Sequence, residues 1–140
     1  MRRFLFALCL IPMLLCCSCG LFGDQQYVCD VEKVDTIQII RLDRYVEGEY
    51  RYEYTVLAEI SDRETFVNRL NEIDHSVNWG EPQTLDVQYI VIKIDYIDGT
   101  YDYIHQDAQW LNTTETTCRT GYFFFNDEQF NSLIFDYIEE

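Results

Sequence analysis

The stretch DVQYIVIKIDYIDGTYDYIHQ, residues 86–106, sets two runs of β-branched and aromatic residues on either side of Asp98-Gly99. Alternation at period two marks strands with one buried face. Asp-Gly supplies the left-handed geometry of a two-residue hairpin turn. That turn predicts Ile97 opposite Thr100, Tyr96 opposite Tyr101, Asp95 opposite Asp102 and Ile94 opposite Tyr103. Ile90, Ile92, Ile94, Tyr96, Tyr101 and Tyr103 then form the buried face. Asp95 and Asp102 meet on the other side, where like charges oppose each other unfavourably. Lys93, two positions away, offsets them, and a hard cation bridging the pair is a weak alternative. The DYIDGTYD spacing departs from the calcium-binding helix–loop–helix pattern, which wants an oxygen ligand where Ile97 stands. A solvated acidic face is therefore expected, and no metal site.

Working outward, VDTIQIIRL (34–42) reads as a strand with imperfect alternation. In YRYEYTVLAEI (50–60), Tyr50, Tyr52, Tyr54, Val56, Ala58 and Ile60 fall on one face of a second strand. Ser61 and Glu64 make a capping box, with Asp62 in the first turn. Phe66, Val67, Leu70 and Ile73 follow at helical spacing, predicting a helix from about 62 to 73. HSVNWG (75–80) is a short strand or an approach, and GEPQT a loop. A strand over 109–112, a turn at TTETT and a strand at 121–125 precede a second capping box, Asn126 and Gln129. Phe130, Leu133, Ile134, Tyr137 and Ile138 then line one face of a closing helix. The predicted class is α+β: a two-layer sandwich, with a largely antiparallel sheet of five to seven strands and two helices on one face.

The N-terminus carries a different signal. Met1-Arg2-Arg3 leads into about a dozen apolar residues, too few to span a bilayer, and then into LLCCSCG (14–20). This segment resembles a bacterial lipoprotein signal, which implies that a cysteine after small residues is acylated and becomes the new N-terminus. Cys19 has Ser18 before it and Gly20 after it. Cys17 is the alternative, with Leu14 in the position the pattern prefers. Cysteine counting favours Cys19, because Cys29 and Cys118 then remain as an even pair. The expected organisation is a signal peptide over 1–18, a leader over 19–31 and one domain over 32–140. Such a protein is exported and anchored to the outer face of the bacterial membrane or, in a diderm, within the envelope. There a Cys29–Cys118 disulfide would persist, and closing so long a loop contributes up to about 4 to 5 kcal/mol. A metal cluster of Cys16, Cys17 and Cys19 is not expected, since the paired spacing of zinc sites is missing.

Composition narrows the partners. The chain has 140 residues and net charge -15; losing Arg2 and Arg3 with the signal takes it to -17. Such a surface disfavours nucleic acid, whose backbone is bound through Lys and Arg, and anionic headgroups repel it, leaving acyl chains as the membrane contact. Eleven tyrosines, nine phenylalanines and two tryptophans are too much aromatic area for a disordered tail. No glycine-rich phosphate loop follows a strand. Ser61 is used as a cap, Ser76 merely neighbours His75, and His105 reads as a sheet-edge histidine. Catalysis and cofactors are therefore not expected. The row Tyr50, Tyr52 and Tyr54, extended by Trp79 and Trp110, is a core strand if helices cover it. Left uncovered, it is a candidate surface for a protein, peptide or glycan. The functional expectation is a non-catalytic binding or interaction module on a lipid anchor, with a homodimer among its possible assemblies. The alternative is a small envelope hydrolase or a weak calcium-binding protein using surface carboxylates.

Overall fold

A computed structural model describes residues 26–138 apart from 78, 79 and 82. The signal segment, the acylation candidates Cys17 and Cys19, and Trp79 lie outside the described residues. A 3-10 turn, Val31–Lys33, leads into β1 (Val34–Tyr45) and β2 (Tyr52–Glu59). Then come α1 (Arg63–Asn71), β3 (His75–Val77), β4 (Ile90–Tyr96), β5 (Tyr101–Ile104), β6 (Gln109–Thr113), β7 (Arg119–Thr120), β8 (Phe123–Phe125) and α2 (Asp127–Ile138). Six strands form one antiparallel sheet in the order β2-β1-β4-β5-β6-β7, and β3 pairs with β8 in a second, two-stranded sheet. The fold is α+β, with both helices on one face of the large sheet, as the periodicities predict.

The helices form where their caps and stripes place them. Asp62, not Ser61, caps α1: its carboxylate accepts the Thr65 N–H at 3.1 Å, and the charge suits the positive helix end. Phe66, Val67 and Leu70 of α1 and Phe130, Leu133 and Ile134 of α2 are buried. They pack over Ile37 and Ile39 of β1, Ile92 and Ile94 of β4, and Ile104 of β5. Asn126 caps α2 through the Gln129 N–H at 3.0 Å. The Gln129 side chain does not close the box. Its amide oxygen instead accepts the Asp74 N–H at 2.7 Å, tying the start of α2 to the turn after α1.

The hairpin register differs from the sequence reading by one residue. Ile94 faces Asp102 and Asp95 faces Tyr101. Tyr96 N–H donates to the Thr100 carbonyl at 2.9 Å, and Gly99 N–H to the Tyr96 carbonyl at 2.9 Å, so Ile97, Asp98 and Gly99 form a three-residue loop. Gly99 sits at φ +85°, the left-handed position that closes such a loop. Asp98 secures it by accepting both the Thr100 N–H and the Thr100 hydroxyl. Because side chains alternate, a slip of one residue exchanges the two faces of β5. Tyr101 and Tyr103 consequently leave the helix side, and Asp102 enters it.

The far side of the sheet is also buried in part. Ile40, Leu42, Tyr52, Leu85, Val91, Tyr103 and Ala108 make a second core there. The segment carrying Leu85 lies across this face, held by the Tyr52 hydroxyl on the Leu85 carbonyl at 2.6 Å. Residues 86–89, expected as the start of a strand, turn instead, with Gln88 at φ +74° and its N–H on the Leu42 carbonyl. The expected disulfide is absent. Cys29 is a buried free thiol in the helix-side core, 3.9 Å from the Tyr96 hydroxyl. Cys118 is a free thiol in the β6–β7 turn, facing the Thr113 hydroxyl and lying within electrostatic reach of Tyr52 and Tyr101 on the far side.

A Cβ at position 99 would meet nothing within 4 Å, so a substitution there tests backbone conformation alone. Gly99→Ala is expected to lower unfolding free energy by about 1–2 kcal/mol, the penalty for an L-residue in the left-handed region. Gly99→Asn should lose less. Urea denaturation of the three proteins side by side measures both differences.

Candidate functional site

The predicted tyrosine row is split by backbone irregularities. The register between β1 and β2 shifts between Ile39 and Ile40 and again between Leu42 and Arg44. Ala58 and Ile60 therefore pack on the helix side, while Tyr52, Tyr54 and Val56 belong to the far face. The helices do not cover the row. Tyr52 is buried, with its ring 5.4 Å from that of Tyr45, 5.2 Å from Trp110 and 5.9 Å from Tyr103. Tyr50, Tyr54, Tyr45 and Val56 are exposed around it, at 40, 37, 39 and 41 %. Trp110 is half-buried and meets Tyr50 edge-on at 6.1 Å. Lys93, almost fully buried, lies 5.6 Å from the Tyr54 ring centre and 5.7 Å from that of Tyr101, and its ammonium pairs with Asp95. Cation–π attraction and the ion pair together hold the rings in place.

A second constellation lies on the helix side and arises from the corrected register. Asp102 is 3 % exposed. Its Oδ2 accepts the Tyr96 hydroxyl at 2.6 Å and the Tyr27 hydroxyl at 3.3 Å, and its Oδ1 accepts the Asn112 backbone N–H at 2.7 Å. Each donor is delivered by a particular element. Tyr96 sits diagonally across the β4–β5 pair on the same face. Asn112 adopts φ +49° beside an irregularity in the β5–β6 pairing, which turns its N–H to the carboxylate. Tyr27 comes from the segment before the 3-10 turn, which is pinned at Cys29: the Asn71 side-chain amide accepts the Cys29 N–H at 2.8 Å and donates to the Cys29 carbonyl at 2.9 Å. The Tyr27 N–H donates to His75 Nε2 at 3.1 Å. With Nε2 accepting, Nδ1 carries the proton and donates to the Ile73 carbonyl at 2.9 Å.

Burial dominates the electrostatics of this cluster. It raises the Asp102 pKa against the opposing pull of Tyr96, Asn112, Tyr27 and the more distant Arg119 charge. Burial also lifts Tyr96 and Tyr27 far above the ordinary phenol range, so both remain donors to the carboxylate. The Cys29 thiol is pushed up to about 11, which leaves it protonated and a poor nucleophile at neutral pH. His105, stacked on Tyr89 at 4.2 Å and lowered by burial, belongs to a different part of the molecule and reaches no nucleophile among its hydrogen bonds. Asp95 and Asp102 do not share an ion. They face opposite sides of the sheet, and Asp95 is bound to Lys93 and to the Thr36 hydroxyl. No group of three or more His, Cys, Asp or Glu that could hold a metal occurs among the described residues.

Asp102, Tyr96 and Tyr27 line an open cavity of about 450 Å³ between the N-terminal segment and the tip of the β4–β5 hairpin. Leu111 and Phe123 give it an apolar wall, and Lys33 and Arg119 are also among its lining residues. Sequence reading singled out Asp102 but placed it on the wrong face. Gly99 does not decide its place, because it fits the third position of a three-residue loop as well as the second of a two-residue turn. No family model, curated protein or solved structure matches this chain.

The raised pKa of Asp102 has a definite sign. Its contribution to stability is complete below the unfolded-state value, about 3.9, and is lost as pH rises through the folded-state value. Relative to Asp102→Asn, the wild-type chain should therefore lose stability between acid and neutral pH. Paired urea titrations across that range would show the difference curve falling, whereas a flat or rising curve would mean that the carboxylate is not penalised by burial.

Proposed function

We propose that this protein is a non-catalytic, exported binding module, held at the membrane by a lipid on Cys19, whose partner is an extended segment of another protein. The observation that carries this reading is the exposed aromatic rim of Tyr45, Tyr50, Tyr54 and Val56, on the sheet face away from the helices. These side chains stand on or beside β2, which pairs only with β1 among the described residues. An edge strand offers unpaired backbone groups, and an added strand can satisfy them while its alternate side chains rest on the rings. Tyrosine suits this use because it combines apolar area with a polar tip. Glu59, exposed on β2, and the net charge of -15 favour a partner strand rich in Lys or Arg. Support for the anchor comes from the N-terminal charge, apolar run and small residues flanking Cys19.

Selection of a phage-displayed random peptide library against the purified domain tests the surface. Enriched peptides should alternate apolar residues with Lys or Arg. The double substitution Tyr54→Gln, Val56→Gln should abolish their binding while far-UV circular dichroism remains that of the folded wild-type domain. Failure to enrich any peptide, or binding indifferent to both substitutions, rejects the reading. The anchor is tested separately by growth on an azide-bearing fatty acid. Label is expected in the wild type and in Cys17→Ala, and not in Cys19→Ala.

A further inference from the structure

We propose that the cavity over Asp102 is a binding site for a small zwitterion, a free α-amino acid with an apolar side chain. Its ammonium would lie on Asp102 and its carboxylate on Arg119. The site is independent of the β2 surface, since it opens on the other side of the sheet.

The floor is a built acceptor. Asp102 is 3 % exposed, and its two oxygens receive three donors from three separate elements. A carboxylate offers about four acceptor positions, so one on Oδ1 is left unfilled. No ion pair reaches Asp102 among the described residues. A buried carboxylate held by neutral donors alone, lining an open cavity, would gain a charge-assisted hydrogen bond from an N–H-bearing cation. The tyrosines cannot supply that charge. They fix the orientation of the carboxylate at the wall of the cavity.

The rim supplies the opposite charge. Arg119 lines the same cavity and its charge acts on Asp102, yet the two form no ion pair. Arg119 also has no carboxylate partner among the described residues, whereas the other rim cation, Lys33, is already paired with Asp30 at 3.2 Å. The rim carboxylate Asp98 is engaged by Thr100. One unpaired anion and one unpaired cation thus remain in a single cavity, close enough to interact and not joined. A ligand carrying both charges completes each of them. A simple anion would meet the -15 field of the chain, and a simple cation would leave Arg119 unmatched. Leu111 and Phe123 provide apolar wall for a side chain, and about 450 Å³ lies within the range of small-molecule sites, roughly 300–1,000 Å³.

Isothermal titration of the exported chain with L-leucine and L-phenylalanine tests the proposal. Their methyl esters, which lack the carboxylate, and their N-acetyl derivatives, which lack the ammonium, serve as comparisons. Saturable binding of at least one free amino acid is expected, weakened tenfold or more in both derivatives. Arg119→Gln, on an exposed strand end, should weaken the free amino acid tenfold or more and leave the ester unchanged. Asp102→Asn should weaken the free amino acid and the ester together; if it fails to fold, Arg119→Gln still decides. Equal binding of a free acid and its N-acetyl derivative, no saturable binding of either amino acid, or binding indifferent to Arg119→Gln each overturns the proposal. None of these outcomes bears on the peptide selection at β2.

Discussion

The loop at Ile97, Asp98 and Gly99 governs the arrangement of half the sheet. A third loop residue, placed in the left-handed region at Gly99, rotates β5 so that Asp102 points to the helices and Tyr101 and Tyr103 point away. Turning a carboxylate inward is unfavourable unless donors meet it. Tyr96, Tyr27 and the Asn112 N–H do so, each from a different element. The irregular pairing of β5 with β6 at Asn112, and the docking of the N-terminal segment through Cys29, are therefore parts of the same arrangement as the loop. Removing any one leaves the other donors around an incompletely satisfied buried charge.

The two sides of the sheet have different chemistry for a physical reason. On the helix side, aliphatic side chains and the rings of Phe66, Phe123, Phe125 and Phe130 fill the space beneath the helices. On the far side the cover is an irregular segment around Leu85, and the rings that pack beside Ile40, Leu42 and Val91 are tyrosines and a tryptophan. Tyrosine can serve there because its hydroxyl can meet the backbone of the covering segments: Tyr52 donates to the Leu85 carbonyl, and Tyr101 to the Tyr50 carbonyl at 2.5 Å. The rings thus bind the covering loops to the sheet as well as filling the layer beneath them.

The helices and most strands were legible because their stripes are long and unambiguous. Phe66, Val67, Leu70 and Ile73, and Phe130, Leu133 and Ile134, are buried as their spacing predicts. Three other features were not. Asp-Gly is compatible with both loop lengths, and only the Asp98–Thr100 hydrogen bonds favour the longer one. The split of the tyrosine row follows from a register shift that leaves no composition signal, although Ile39 and Ile40, adjacent and both fully buried, show that β1 is covered on two sides. Counting cysteines says nothing about depth. It pairs Cys29 with Cys118, whereas the fold leaves one in the helix-side core and the other in the β6–β7 turn. Of the proposed sites, the β2 surface was readable in outline, while the Asp102 cavity exists only once the register is known.

The Asn71 amide, which holds the Cys29 peptide group by two hydrogen bonds at 2.8 and 2.9 Å, has a mechanical consequence. Tension applied at the N-terminus enters the domain through Tyr27 and Cys29 and is divided between the end of α1 and the buried carboxylate. Strand β2 is reached from that segment only through its pairing with β1. A chain tugged from its leading end would yield first around residues 26–30, while the aromatic rim kept its shape.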